Sequence, residues 1–109
     1  MRRARIRPHA DQDLNRQYAY LVEEASIAIA ERFLHAVYEA LDRLVSIPGI
    51  GSPQEHRAPR LKGLRMWSVP GFRDYLVYYV DDPDEGIEVI RVLHGARDIE
   101  RMLEKEDSA

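Results

Sequence analysis

Arg91 and His94 are the residues of this 109-residue sequence best placed to do chemistry. Arg91 interrupts the apolar run Val89-Ile90-Arg91-Val92-Leu93, and a mid-strand arginine is costly to bury unless it is paired. Two readings follow: it holds a buried carboxylate, or it reaches an open sheet face as a site residue. His94 closes the same run. Its imidazole offers a general acid or base, against the plainer role of a strand-end residue. Side chains alternate along a strand, so the two should leave opposite faces unless a bulge intervenes. His9, His35 and His56 have no metal-ligand spacing with one another or with neighbouring carboxylates, so no metal is expected. There is no Cys, which removes disulfides, thiolate zinc sites and cysteine nucleophiles. Nucleophile-elbow, Walker A and dinucleotide fingerprints are missing too, and no cofactor is expected. Trp67 reads as a sheet-face anchor under helices, because base stacking would need aromatic companions that it lacks.

Charge is unevenly spread around these residues. The formal net charge is -3, which argues against a general nucleic-acid binder. Between His56 and Tyr75, however, lie Arg57, Arg60, Lys62, Arg65 and Arg73 against Asp74 alone. Arg2, Arg3, Arg5 and Arg7 make the start basic, whereas Asp81 to Glu88 is acidic and contains no base. Either this is an ordinary solvated surface, or a basic sheet surface meets an acidic partner. Composition, 45% hydrophobic and 32% charged, is that of one soluble globular domain over residues 1–109. Apolar runs such as Leu76 to Val80 fall far short of the roughly 20 residues that span a bilayer. No apolar segment follows the basic start as a signal peptide would require, so a cytoplasmic location is expected.

The elements that must position these residues are legible in the periodicity. Residues 3 to 7 alternate and suggest a first strand, ended by Pro8. Ala10, Leu14, Tyr18, Leu21 and Val22 form one face of a first helix, with Asp11 and Asp13 favoured by the dipole in its first turn. Ser26 is a candidate N-cap for a second helix with the face Ala30, Phe33, Leu34, Val37, Leu41, Leu44 and Val45. That helix must stop before Pro48. Strands are expected at Leu64 to Val69, Tyr75 to Val80 and Ile87 to Leu93, joined by a Pro70-Gly71 turn and an Asp81–Gly86 turn. Arg97 to Glu106 carries Ile99 and Leu103 at helical spacing and reads as a short C-terminal helix. The fold class is α+β with the order β-α-α-β-β-β, a helical hairpin packed on one face of an antiparallel sheet.

In that order lie Ala10-x-x-Asp13-Leu14-x-x-x-Tyr18, Pro48-x-x-Gly51, Leu61-x-Gly63-Leu64-Arg65 and Arg91-Val92-Leu93-His94-Gly95-x-Arg97-Asp98-Ile99. The ordered set resembles the RelE/ParE toxin superfamily, most closely its ParE branch, over nearly the whole chain. The resemblance implies the toxin of a bacterial type II toxin–antitoxin module, with growth arrest as its effect and a ParD-like antitoxin as its partner. Characterised ParE toxins poison DNA gyrase, whereas RelE toxins cleave mRNA on the ribosome.

Cleavage through a 2′-hydroxyl needs cations and an acid around one phosphate. Here that set would be Arg65, Arg73 and Arg91 with His94, and no tyrosine follows the last strand to complete it. Net acidity also weakens steering to RNA. A gyrase inhibitor that acts by binding is therefore expected, not an enzyme. The alternatives are an mRNA interferase and a degenerate, non-toxic antitoxin-binding module. The resemblance places target binding on Arg91, His94 and Arg97. Tyr20, Ile27, Ile29 and Tyr38 lie off the core stripes of the two helices and are the candidates for an apolar antitoxin groove.

Overall fold

A short strand opens the computed structural model, which describes residues 2–95. This is β1 (Arg3–Ile6). Pro8 follows at the first turn of α1 (Pro8–Glu24), where its fixed φ suits the helix and its missing N–H costs nothing. Ser26 caps α2 (Ile27–Ser46), its Oγ accepting the Ile29 N–H at 3.1 Å. With only Ala25 and Ser26 between them, the helices fold back as the expected hairpin. Pro48–Ile50 makes a single 3₁₀ turn, and β2 (Ser52–Pro53) follows it. A second such turn at Pro59–Leu61 leads to β3 (Arg65–Val69), β4 (Phe72–Asp82) and β5 (Gly86–His94).

The strands form one sheet in the order β1-β5-β4-β3-β2. The meander β3-β4-β5 is antiparallel as expected, and Gly71 takes φ +84°, which suits the third position of a type II turn. Two strands lie outside that meander. β1, from the start of the chain, takes the free edge of β5 and pairs with it in parallel, so the sheet is mixed rather than wholly antiparallel. Its approach is so close that a Cβ on Gly86 would collide with the Arg3 carbonyl. At the other edge β2 contributes only two residues, too few to show a period in the sequence.

Strand β4 also runs through Asp81 and Asp82, which the sequence assigns to a turn. Their charges are met across the sheet. Arg2 Nη2 lies 2.8 Å from Asp81 Oδ1, and Arg5 reaches Asp82 and Glu85 at 3.2 and 3.3 Å. The basic start and the acidic hairpin thus meet at one corner, where Arg2 and Arg5 are paired.

The main core lies between hairpin and sheet, where Phe33, Val37, Leu41 and Leu44 of α2 meet Val77, Tyr79, Val89 and Val92. Trp67 packs against its margin, half-buried. The opposite face, expected to be open, is covered. Leu61 and Leu64 from the segment before β3 seal a second cluster of Leu76, Tyr78, Ile90 and Leu93. Burial on both faces explains why β4 and β5 read as continuous apolar runs without alternation.

Candidate functional site

Past Ile6, the free edge of β5 has no neighbouring strand among the described residues, and α1 takes over. β1 makes its last pair at Val89, whose carbonyl also accepts the Arg7 N–H at 3.1 Å. Asp13 and Gln17, one helical turn apart, then occupy the place of a strand. Asp13 Oδ2 accepts the Val92 N–H at 3.1 Å, and Gln17 Nε2 donates to the Val92 carbonyl at 2.7 Å. Arg91 Nε and Nη2 donate to the two Asp13 oxygens at 2.7 and 2.9 Å, and Arg16 Nη2 donates to Oδ1 at 3.2 Å. Asp13 is 2% exposed, so this carboxylate is a buried anion with every lone-pair direction in use.

Arg91 therefore takes the carboxylate-holding role of the two that the sequence allows. Its partner was not identifiable as such, because Asp13 also fits a helix-dipole role in the first turn. The available signal is that Asp13 and Gln17 fall inside the apolar stripe of Ala10, Leu14 and Leu21 at about 100° per residue. Two polar residues on a core-facing stripe need a polar partner on whatever that stripe covers.

A bulge is present, but it lies upstream of the pair. Tyr78 pairs with Arg91 and Tyr79 with Val89, which leaves Ile90 as the extra residue. From Arg91 to His94 the register is continuous. Arg91 thus starts beside Tyr78 on the far face, whereas His94 starts beside Tyr75 on the helix face. The length of the arginine overrides this parity: its guanidinium reaches round the free edge of β5 to Asp13. Both residues line a hollow of about 180 Å³ with Arg16, Gln17 and Gly95. An adjoining hollow of about 370 Å³ shares Arg16, Gln17 and His94 and adds Tyr20 and Tyr75. The His94 ring meets Tyr75 edge-on, with centroids 4.8 Å apart. Burial, helped by Tyr20 and Asp74, pushes the Tyr75 hydroxyl above its usual value, so it stays a neutral donor. Gly95 anchors the strand end by donating to the Asp74 carbonyl at 2.7 Å.

The other arginines named by the sequence do not join this notch. Arg65 Nη1 donates to the Gly49 and Gly51 carbonyls at 3.2 and 2.6 Å, pinning the loop after α2. Tyr79 completes the pin, donating to the Pro48 carbonyl at 2.6 Å and accepting the Gly51 N–H at 3.0 Å. A Cβ on Gly51 would sit 2.5 Å from the Tyr79 hydroxyl, which is the physical content of Pro48-x-x-Gly51. Pairing puts Arg65 opposite Tyr79 and His94 opposite Tyr75, so their backbones lie roughly 13 Å apart along the sheet and 10 Å across it. Arg73 is exposed near the start of β4. Arg97 and the expected C-terminal helix lie outside the described residues.

The four apolar candidates on the hairpin separate as well. Tyr20, Ile27 and Tyr38 are 60%, 61% and 49% exposed, but Ile29 is half-buried and lines an open groove with Ala36 and Phe72. On α2, Ile27 and Tyr38 share a stripe, whereas Ile29 points about 160° away from Ile27. They do not form a single groove. Ile47, 50% exposed, is a further apolar residue that the periodicity did not single out. Among the described residues no group of three His, Asp or Glu could hold a metal, and no helix is long and apolar enough to cross a membrane.

Residues 4–99 match the family model described as the ParE toxin of the type II toxin–antitoxin system parDE. Among solved structures, the fold is similar to a chain of the chromosomal ParDE TA system from P. aeruginosa. The TM-score is 0.70 at 17% identity, over 88% of this chain and 98% of that one, a likeness of fold alone. No curated protein matches the sequence.

Proposed function

The chain belongs to the ParE toxin family of type II, parDE, toxin–antitoxin systems, and from this premise we propose that it arrests bacterial growth by binding DNA gyrase and is neutralised by a ParD-like antitoxin. It would act in the cytoplasm as a single domain, through contact rather than catalysis. The observation that carries this reading is the commitment of its arginines. Arg91 is spent on Asp13 and Arg65 on the Gly49 and Gly51 carbonyls, on opposite sides of the sheet centre. A phosphodiester transition state needs cations aimed at one point, and here two of the three candidate cations are turned inward at separate places. What faces outward is the end of β5 with His94, flanked by Tyr20. The resemblance assigns target binding to this same end, through Arg91, His94 and Arg97.

Expression of the chain alone in a bacterium should arrest growth, accumulate gyrase–DNA cleavage complexes and be rescued by co-expression of the adjacent antitoxin gene. The purified chain should inhibit gyrase supercoiling and leave translated messages uncut in primer extension. Arrest with codon-phased mRNA cuts and intact gyrase would replace this reading with the interferase. No arrest at all would leave a non-toxic antitoxin-binding module.

A further inference from the structure

The notch between α1 and the end of β5 has the chemistry of a receptor for an acidic peptide. Arg16 and Arg91 share one carboxylate, so two guanidinium charges face a single anion. The Arg16 side chain is 71% exposed and free to turn toward a second acceptor. Asp74 acts on Tyr75 but lines neither hollow. Beside the excess cation, Gln17 Oε1 is buried and meets no donor among the described residues, while its Nε2 is held by Val92. Tyr20 and Tyr75 supply an aromatic wall, and His94 closes the far side. Among the described residues the notch thus lacks a second anion, an N–H donor for Gln17 Oε1 and an apolar group on its aromatic wall, all within one pair of adjoining hollows.

We propose that this notch receives a segment of the antitoxin that sets a carboxylate side chain on Arg16 and His94, an N–H on Gln17 Oε1, and an apolar side chain on Tyr20 and Tyr75. The inference rests on the toxin–antitoxin reading above and deepens it, because it covers the end of β5 with the partner itself. A peptide carries all three groups within a few residues. A phosphodiester backbone has no N–H to offer Gln17, and one excess cation is a poor match for a repeating anion. Neutralisation would then act by covering His94 directly.

The probe is hydrocinnamate, a carboxylate on a short phenyl-bearing chain, titrated into the full chain while the His94 ring and Gln17 amide signals are followed by NMR. Saturable shifts at both residues are expected. Hydrocinnamide, which keeps the ring and loses the charge, should bind about tenfold more weakly, as loss of a charge-assisted contact implies. Arg16→Gln should weaken hydrocinnamate to the same degree, and Tyr20→Ala should weaken acid and amide alike. Chain saturated with the adjacent antitoxin should no longer respond. Equal binding of acid and amide, tighter binding of inorganic phosphate, or an undiminished response in the antitoxin complex would each overturn the proposal. Growth arrest with gyrase untouched would remove the target reading and leave all these outcomes unchanged, so the two failures are distinguishable.

Discussion

Two polar nodes bracket the sheet, and they are built on opposite principles. At the loop after α2, Arg65 and Tyr79 meet backbone groups of Pro48, Gly49 and Gly51, so each donor closes on a neutral acceptor inside the chain. At the end of β5, two arginines share Asp13, and one of them stays largely exposed beside Tyr20 and His94. The first node is closed and serves the fold. The second holds α1 to the sheet and keeps a cation and an aromatic wall outside. An arginine in a short motif does not announce which kind it is; its partners do.

The contrast breaks most visibly at Asp13. Asp13→Ala would leave Arg91, its side chain only 12% exposed, without its anion and strip the Val92 N–H of its acceptor. Breaking a buried pair from one side costs about 3–5 kcal/mol, which urea unfolding should register. Arg91→Met should cost less, because Asp13 keeps Arg16 and the Val92 N–H. If the two losses were equal, the carboxylate would not be the organising group.

At the closed node the expected effects are smaller. Tyr79→Phe leaves the Pro48 carbonyl and Gly51 N–H unsatisfied, at roughly 1–3 kcal/mol. Gly51→Ala forces a methyl against the same hydroxyl and should cost a similar ~1–3 kcal/mol by overpacking. Because Tyr79→Phe removes the hydroxyl that the Gly51→Ala methyl would strike, the double variant should cost clearly less than the sum, measurable as a double-mutant cycle. Neither should alter hydrocinnamate binding at the distant notch. A change there would mean that the nodes are coupled through β4.

Most of the architecture was written in the periodicity. The two helix faces, the Ser26 cap and the three-strand meander are local patterns that neighbouring residues enforce. What stayed hidden is non-local. The parallel seat of β1 depends on Gly86 admitting the Arg3 backbone, eighty-odd residues away in sequence, and no local pattern encodes that meeting. The cover on the far face depends on Leu61 and Leu64 in a segment too irregular to show a period. At the site, Arg91 and His94 stood out by type, whereas Asp13 and Gln17 did not, since their partner is a strand edge that exists only after folding. Ile29 shows the same dependence on folding. Lying off one stripe of α2 brought it beside Phe72 rather than into solvent.

Alkali probes both nodes at once. Burial pushes the Tyr75 and Tyr79 hydroxyls above their usual value, with Tyr20 and Asp74 adding to Tyr75, while the Gly51 N–H and Arg65 pull Tyr79 back. The folded chain holds these protons where the unfolded chain releases them. That stabilisation is complete below about pH 10 and is lost as pH rises through the folded values. Unfolding should therefore become easier above pH ~10. Ultraviolet titration of tyrosinate should separate the sites: Tyr20→Phe lowers the Tyr75 midpoint, and Arg65→Gln raises that of Tyr79.

The smallest expected effect on stability is the most telling about the open node. Arg16 is bound to Asp13 by one 3.2 Å contact, with most of its side chain in water. An ion pair of that exposure is worth about 0–1 kcal/mol, so Arg16→Gln should unfold almost as the parent does. Arg91 keeps Asp13 neutralised in the variant, and the Val92 contacts remain. Yet the excess cation of the notch is gone, and affinity for the antitoxin, measured by calorimetry on the purified partners, should fall by about 10-fold or more. A residue that matters little to the fold and much to the partner is what separates an open node from a closed one. If Arg16→Gln destabilised the chain as much as Arg91→Met and left antitoxin affinity unchanged, both nodes would be structural and the distinction between them would dissolve.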